Sequence, residues 1–174
     1  MKTWIDRMSA IPWFASIGNP DSRDRAEALL EPVKAAFGLP DVPVRWLTLP
    51  EAGEFVKRYD ITSSPMWPTL FELPERIRTA AERNGRMEVL SFAADDLPEA
   101  VFHAAFGGAF PVLQAFGQEA VRNAVCAAMY VSGLAAGWEL AGEPPESNPL
   151  QPAIALFELG YWPLGLFEGR LCLL

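Results

Sequence analysis

The chain has 174 residues, of which 51% are hydrophobic and 21% charged. That is the size of a single domain, 1–174, with ample material for a core, and it excludes wholesale disorder. Fourteen basic against 22 acidic side chains give a net charge of −8, and past residue 90 only Arg122 and Arg170 oppose nine acidic groups. A nucleic-acid groove or an anionic membrane surface as partner is argued against, since both are bound through clustered cations.

In chain order, Lys2 to Ala10 predicts a short helix that Ile11-Pro12 ends. Asp21 or Ser22 opens a second helix, whose Ala26, Leu29, Leu30, Val33 and Phe37 recur at the spacing of one buried face. Pro32 should kink it and Gly38 close it. Val42 to Leu47 has the β-branched and aromatic content of a strand, which Pro43 confines to an edge or an irregular start.

Leu-Pro-Glu then occurs at 49, 73 and 97, each 24 residues after the last. Either a repeat or simple capping chemistry accounts for it, because Pro suits the first helical turn and Glu reaches back to the cap. Thr48 and Asp96 complete capping boxes, so the expected helices begin at all three triplets. Asn84-Gly85 ends the second of them, Arg86 to Phe92 reads as a strand, and Gly107-Gly108 ends the third.

A short helix near Pro111 to Phe116 precedes a long one from Gln118 to about Leu140. The long helix is apolar nearly all round and reads as the buried centre of the core. Its uncharged stretch, Ala124 to Trp138, is too short for a membrane span. Residues 142–152 form a proline-rich loop, a helix follows from Ala153 to Leu159, and Glu168-Gly169 between apolar runs signals a C-terminal hairpin. Its last strand, Arg170 to Leu174, is apolar on both faces and so should be buried on both. The fold class expected is α+β, predominantly helical, with a long central apolar helix and a small antiparallel sheet that includes this hairpin.

No phosphate loop, dinucleotide fingerprint, nucleophile elbow or HExxH occurs. His103 follows Glu99 by one helical turn, which fits either a general base or an ordinary surface pair. Cys126 has no activating neighbour in sequence, and the pairs Asp95/Asp96, Glu139/Glu143 and Glu27/Glu31 read as acid/base candidates or as solvated surface. Two cysteines without a CxxC signal neither a disulfide scaffold nor a zinc site, and charges near the N-terminus interrupt any signal-peptide core. A cytoplasmic protein without cofactor or metal is expected.

Trp67, bracketed by Pro65 and Pro68, and Trp162, before Pro163, fit either plugs of the core or exposed anchors for a partner. Pro12-Trp13-Phe14 with Gly18, and Gly160-Tyr161-Trp162-Pro163-Leu164-Gly165 with Gly169-Arg170-Leu171, resemble the ends of a group of uncharacterised bacterial cytoplasmic proteins. That resemblance covers about a tenth of the chain and implies a bacterial cytosolic location. It implies no defined activity, and it assigns no residue a role.

The leading functional expectation is a non-enzymatic protein-binding module, of the immunity or antitoxin-inhibitor kind. It would meet a basic protein through Trp67, Glu139, Glu143, Glu146 and Trp162. The alternatives are an enzyme using His103 or a carboxylate pair on a small substrate, and a small-ligand binder with a pocket between helices.

Overall fold

The computed structural model describes residues 2–17, 23–58 and 71–174, so Trp67 and the expected helix start at Asp21 or Ser22 lie outside the described residues. The architecture is α+β and predominantly helical, with a three-stranded sheet. The helices are α1 (Lys2–Ala10), α2 (Arg23–Ala36), α3 (Leu49–Arg58), α4 (Leu73–Arg83), α5 (Met87–Leu113), α6 (Gln118–Leu140) and α7 (Gln151–Glu158). The strands are β1 (Val44–Trp46), β2 (Pro163–Phe167) and β3 (Arg170–Leu173).

The sheet order is β1-β3-β2, with β3 antiparallel to β2 but parallel to β1, so the sheet is mixed where an antiparallel one was expected. Strand β1 pairs with a segment far along the chain, and such a register leaves no local mark in sequence. Pro163 opens the edge strand β2 and Pro43 immediately precedes the edge strand β1, positions where a missing N–H is tolerated. Pro43 contributes only its carbonyl, which accepts from the Leu171 amide at 2.9 Å. The central strand β3 is buried on both faces, with Leu171, Cys172 and Leu173 fully inside. Burial pushes the Cys172 thiol pKa up, which keeps the sulfur protonated. The β2–β3 turn places Glu168 and Gly169 at φ +51° and +71°, the left-handed pair of a two-residue hairpin.

An aromatic cluster joins the two ends of the described chain. Trp162 stacks on Phe157 at 4.7 Å between ring centroids, Phe14 meets Trp162 at 5.2 Å, and Trp13 meets Phe157 at 5.5 Å. The Trp13 indole donates to the Met8 carbonyl at 3.0 Å, so its one polar atom is satisfied inside the core. Ser16 N–H donates to the Gly160 carbonyl at 3.2 Å. A Cβ on Gly160 would stand 2.7 Å from the Ser16 nitrogen, and so glycine permits this contact.

The first capping box forms as expected. The Thr48 amide and hydroxyl each donate to Glu51 Oε2 at 2.8 Å, and the Glu51 amide donates back to Thr48 Oγ1 at 3.5 Å. Those donors, with Arg45 adding less, hold the Glu51 carboxyl below its ordinary pKa. The second triplet begins α4 with Pro74 in its first turn but without a side-chain cap bond, and Gly85 at φ +64° follows its end.

The third triplet does not begin a helix. Met87 to Leu113 is one continuous helix with Pro98 and Pro111 inside it, which corrects the expected strand at Arg86 to Phe92 and the expected stop at Gly107-Gly108. A line of buried residues at every fourth position, Leu97, Val101, Ala105, Ala109 and Leu113, outweighs the bond each proline removes. The Leu-Pro-Glu spacing therefore falls on two helix starts and one helix interior.

Gly108 is required by close packing. A Cβ there would collide with the Trp13 carbonyl oxygen, whereas a Cβ on Gly107 would meet nothing within 4 Å. Gly108→Ala is accordingly expected to cost about 1–3 kcal/mol by overpacking, and Gly107→Ala to gain up to about 1 kcal/mol from helix propensity. Chemical denaturation of the two variants checks this, and equal effects would refute the close approach.

Glu51 supplies a pH prediction. A carboxyl with a lowered folded-state pKa contributes stability above its unfolded pKa, near 4.5, and loses it as pH falls through the folded value. The stability advantage of the wild type over Glu51→Gln should therefore be constant above about pH 5 and shrink on acidification, read from denaturation curves between about pH 3 and 7.

Candidate interaction face

Helices α5 and α6 form an antiparallel hairpin joined through a single 3-10 turn, Gln114–Phe116, and Gly117. Each buries a face rich in small residues. On α6 that face includes Ala120, Ala124, Ala128, Ala135 and Ala136, and on α5 Ala105 and Ala109. Leu97, Val101 and Leu113 of α5 are buried with them, whereas its phenylalanines 102, 106 and 110 lie on the exposed side.

Phe102, Phe106 and Phe110 are each more than two-fifths exposed and follow one another at four-residue spacing. Their rings stack in sequence, Phe102 on Phe106 at 5.8 Å and Phe106 on Phe110 at 5.5 Å, nearly parallel. His103 abuts Phe102 edge-on at 5.6 Å. With about 200 Å² per aromatic side chain, the three rings leave roughly 260 Å² of apolar surface in water.

One groove runs beside this ridge and a second meets it at Cys126. One, of about 610 Å³, lies between the three phenylalanines and the Val121, Arg122 and Val125 stretch of α6. The other, of about 470 Å³, continues past Leu97 and Pro98 of α5 toward Gly133 and Gly137 of α6. Cys126 is exposed and Tyr130 is 39% exposed. Burial of the Tyr130 ring raises its hydroxyl pKa, so the face stays uncharged there. No Asp, Glu, Lys or Arg occurs between residues 100 and 118. At the margins of the face lie Glu99 and the exposed pair Arg122–Glu119, 3.6 Å apart.

The residues expected to bind a partner lie elsewhere. Trp162 is 5% exposed and belongs to the core, because its ring is stacked on Phe157. Glu139 accepts the Trp4 indole N–H at 3.0 Å and lies 3.5 Å from the Asn148 amide. Glu143 pairs with Arg83 and receives Asn84 Nδ2 at 3.4 Å. Of the three carboxylates expected to meet a basic protein, Glu146 alone is exposed, in the short turn Pro145–Ser147.

Among the described side chains the enzymatic candidates do not converge, and those of Asp95 and Asp96 lie outside them. His103 Nε2 is 3.9 Å from Glu99 Oε1, on side chains 72% and 79% exposed. Glu31 pairs with Lys34 at 2.7 Å. Among the described residues no group of His, Cys, Asp and Glu could hold a metal ion, and no helix is long and apolar enough to cross a membrane.

A third cavity, of about 320 Å³, meets the grooves at Cys126 and Tyr130, is lined also by Phe14, Leu113, Phe116 and Trp162, and is mostly apolar. The phenylalanine ridge was legible as a four-residue period at 102, 106 and 110. The expected helix stop at Gly107-Gly108 cut that period before its third member.

Comparison of the chain with models of protein families, with curated proteins and with solved structures returns no match. The roles of Glu139 and Glu146 are separable by mutation. Glu139→Ala should cost about 1–2 kcal/mol by leaving the part-buried Trp4 indole unpaired, and Glu146→Ala should stay within about 0.5 kcal/mol. Urea denaturation of both variants checks the difference.

Proposed function

We propose that this protein is a non-enzymatic protein-binding module whose recognition surface is the α5–α6 face. The observation that carries the reading is the stacked, exposed ridge of Phe102, Phe106 and Phe110 beside a groove of mixed apolar and polar lining, which meets an apolar groove at Cys126. Exposed contiguous apolar surface of this kind marks interaction sites in water-soluble folds, and aromatic side chains are the usual anchors of such sites.

Catalysis is less well supported, because His103 and Glu99 lie on open surface and Glu139, Glu143 and Glu31 are engaged by Trp4, Arg83 and Lys34 respectively. Capture of a basic protein through Glu139 and Glu143 would first have to break their bonds to Trp4 and Arg83. The apolar face is therefore the better-supported surface within the protein-binding class. Two free cysteines, one of them exposed, fit a reducing cytosol. A second reading, a binder of small apolar molecules, is favoured by the cavity beside Trp162 and Tyr130, whose lining carries few polar groups.

Affinity capture from the native host with mass spectrometry, using the wild type and Phe106→Asp as baits, tests the leading reading. The wild type should retain a partner that the variant loses, with circular dichroism unchanged. Retention should survive about 1 M salt, where screening within ~3 Å removes long-range charge attraction. Equal capture by both baits would refute the face.

A further inference from the structure

On the small-molecule reading of the cavity beside Trp162, the lining itself defines what fits. We propose that this cavity is a binding site for a neutral molecule of two fused aromatic rings carrying one hydroxyl or N–H group, which Asn123 holds.

The cavity is built to stay open. Its floor is made by Phe14, Leu113, Trp162 and Leu164, all buried, and its rim by exposed Phe71, Cys126 and Tyr130. The rings that could collapse into it are held elsewhere. Phe14 and Trp162 meet each other at 5.2 Å between centroids, and Trp162 is stacked on Phe157 at 4.7 Å. The Phe116 ring lies against α3 where Gly53 leaves room for it, since a Cβ there would stand 2.1 Å from the ring. Walls that cannot relax inward forfeit dispersion contacts across the void, and a ligand of matching shape restores them.

Size and lining select the ligand. An apolar cavity of about 150 Å³ takes one benzene, so one of about 320 Å³ takes a body of two rings. Phe14, Phe116 and Trp162 offer that body offset or edge-on ring contacts. Along α6, Ala120, Ala124 and Ala127 present only methyl groups to it.

Charge and hydrogen bonding narrow the class further. No Asp, Glu, Lys, Arg or His is among the described residues of the lining, so an ion entering the cavity would lose its water and gain no opposite charge. The ligand is therefore neutral. Cys126 is shared with both grooves and Tyr130 with one of them, which leaves Asn123 as the polar side chain that lines this cavity alone. Among the described residues its amide has no hydrogen-bond partner. A primary amide both donates and accepts, and so it suits a hydroxyl or a ring N–H at the edge of an otherwise apolar molecule.

Titration calorimetry on the intact protein with 2-naphthol, 2-naphthoate and 1-decanol tests this. 2-Naphthol is uncharged at about pH 7 and should bind with a Kd of about 10–100 µM. The anion 2-naphthoate, and 1-decanol as a flexible alcohol of similar size, should each bind at least about ten-fold more weakly. Asn123→Ala should weaken 2-naphthol about ten-fold. Ala127→Phe, which fills the cavity from a half-buried position on α6, should abolish binding, with circular dichroism unchanged in both variants. Bound 2-naphthol should also slow alkylation of Cys126 at the rim by iodoacetamide, buried Cys172 being out of reach. An affinity for 2-naphthol that 2-naphthoate or 1-decanol matches overturns the proposal, as does one that ignores Asn123→Ala or Ala127→Phe or leaves Cys126 unprotected. Binding of 1-decanol without 2-naphthol overturns the two-ring ligand and leaves the small-molecule reading standing, whereas binding of none of the three overturns both.

Discussion

The seating of the turn at residues 12–16 on the segment 157–162 is the contact on which the rest of the packing depends. Phe14 holds φ at +62° while buried at 2% exposure, a backbone state that costs a non-glycine residue about 1–2 kcal/mol. Its ring gains Trp162 in return, and the neighbouring Trp13 gains Phe157. With Trp13 fixed, its carbonyl lies where only a glycine of α5 can approach it, at Gly108. The position of α5 is thus set by a turn almost a hundred residues earlier.

The α5–α6 hairpin places its alanines inside and its phenylalanines outside. The Gly108 contact fixes α5 against the turn at Trp13, and Phe102, Phe106 and Phe110 remain on the exposed side of the helix. The acidic groups near the other end of α6 serve a different purpose. Glu139 ties α1 to α6 through the Trp4 indole, and Glu143 ties the end of α6 to α4 through Arg83.

The parts of this fold legible in sequence are those decided within a turn or two of chain. The Thr48–Glu51 box, the Asn84-Gly85 ending, the extent of α6 and the Glu168-Gly169 hairpin all follow from local backbone chemistry. The parts that were not legible are decided at long range. Asp96-Leu97-Pro98-Glu99 has the composition of a helix start, yet the line from Leu97 to Leu113 buries against distant partners and carries the helix through it. The parallel pairing of Val44 with Leu171 is likewise invisible to any local pattern. At the candidate site, Glu139 and Trp162 were singled out for chemistry that suits binding. Partners remote in sequence, Trp4 and Phe157, draw them inward instead.

The closure between residues 12–16 and 157–174 also bears on the order in which the molecule is made. A ribosome adds roughly 5–20 residues each second, so Trp13 and Phe14 leave it many seconds before Phe157, Trp162 and the strand that β1 pairs with exist. Throughout that interval α1, α2 and β1 have no completed core to join, and their apolar faces stand open. Contacts of such long sequence separation also slow the search for the native state after release. Until residues 157–174 have been made, the apolar faces of α1, α2 and β1 lack the partners that bury them in the folded chain.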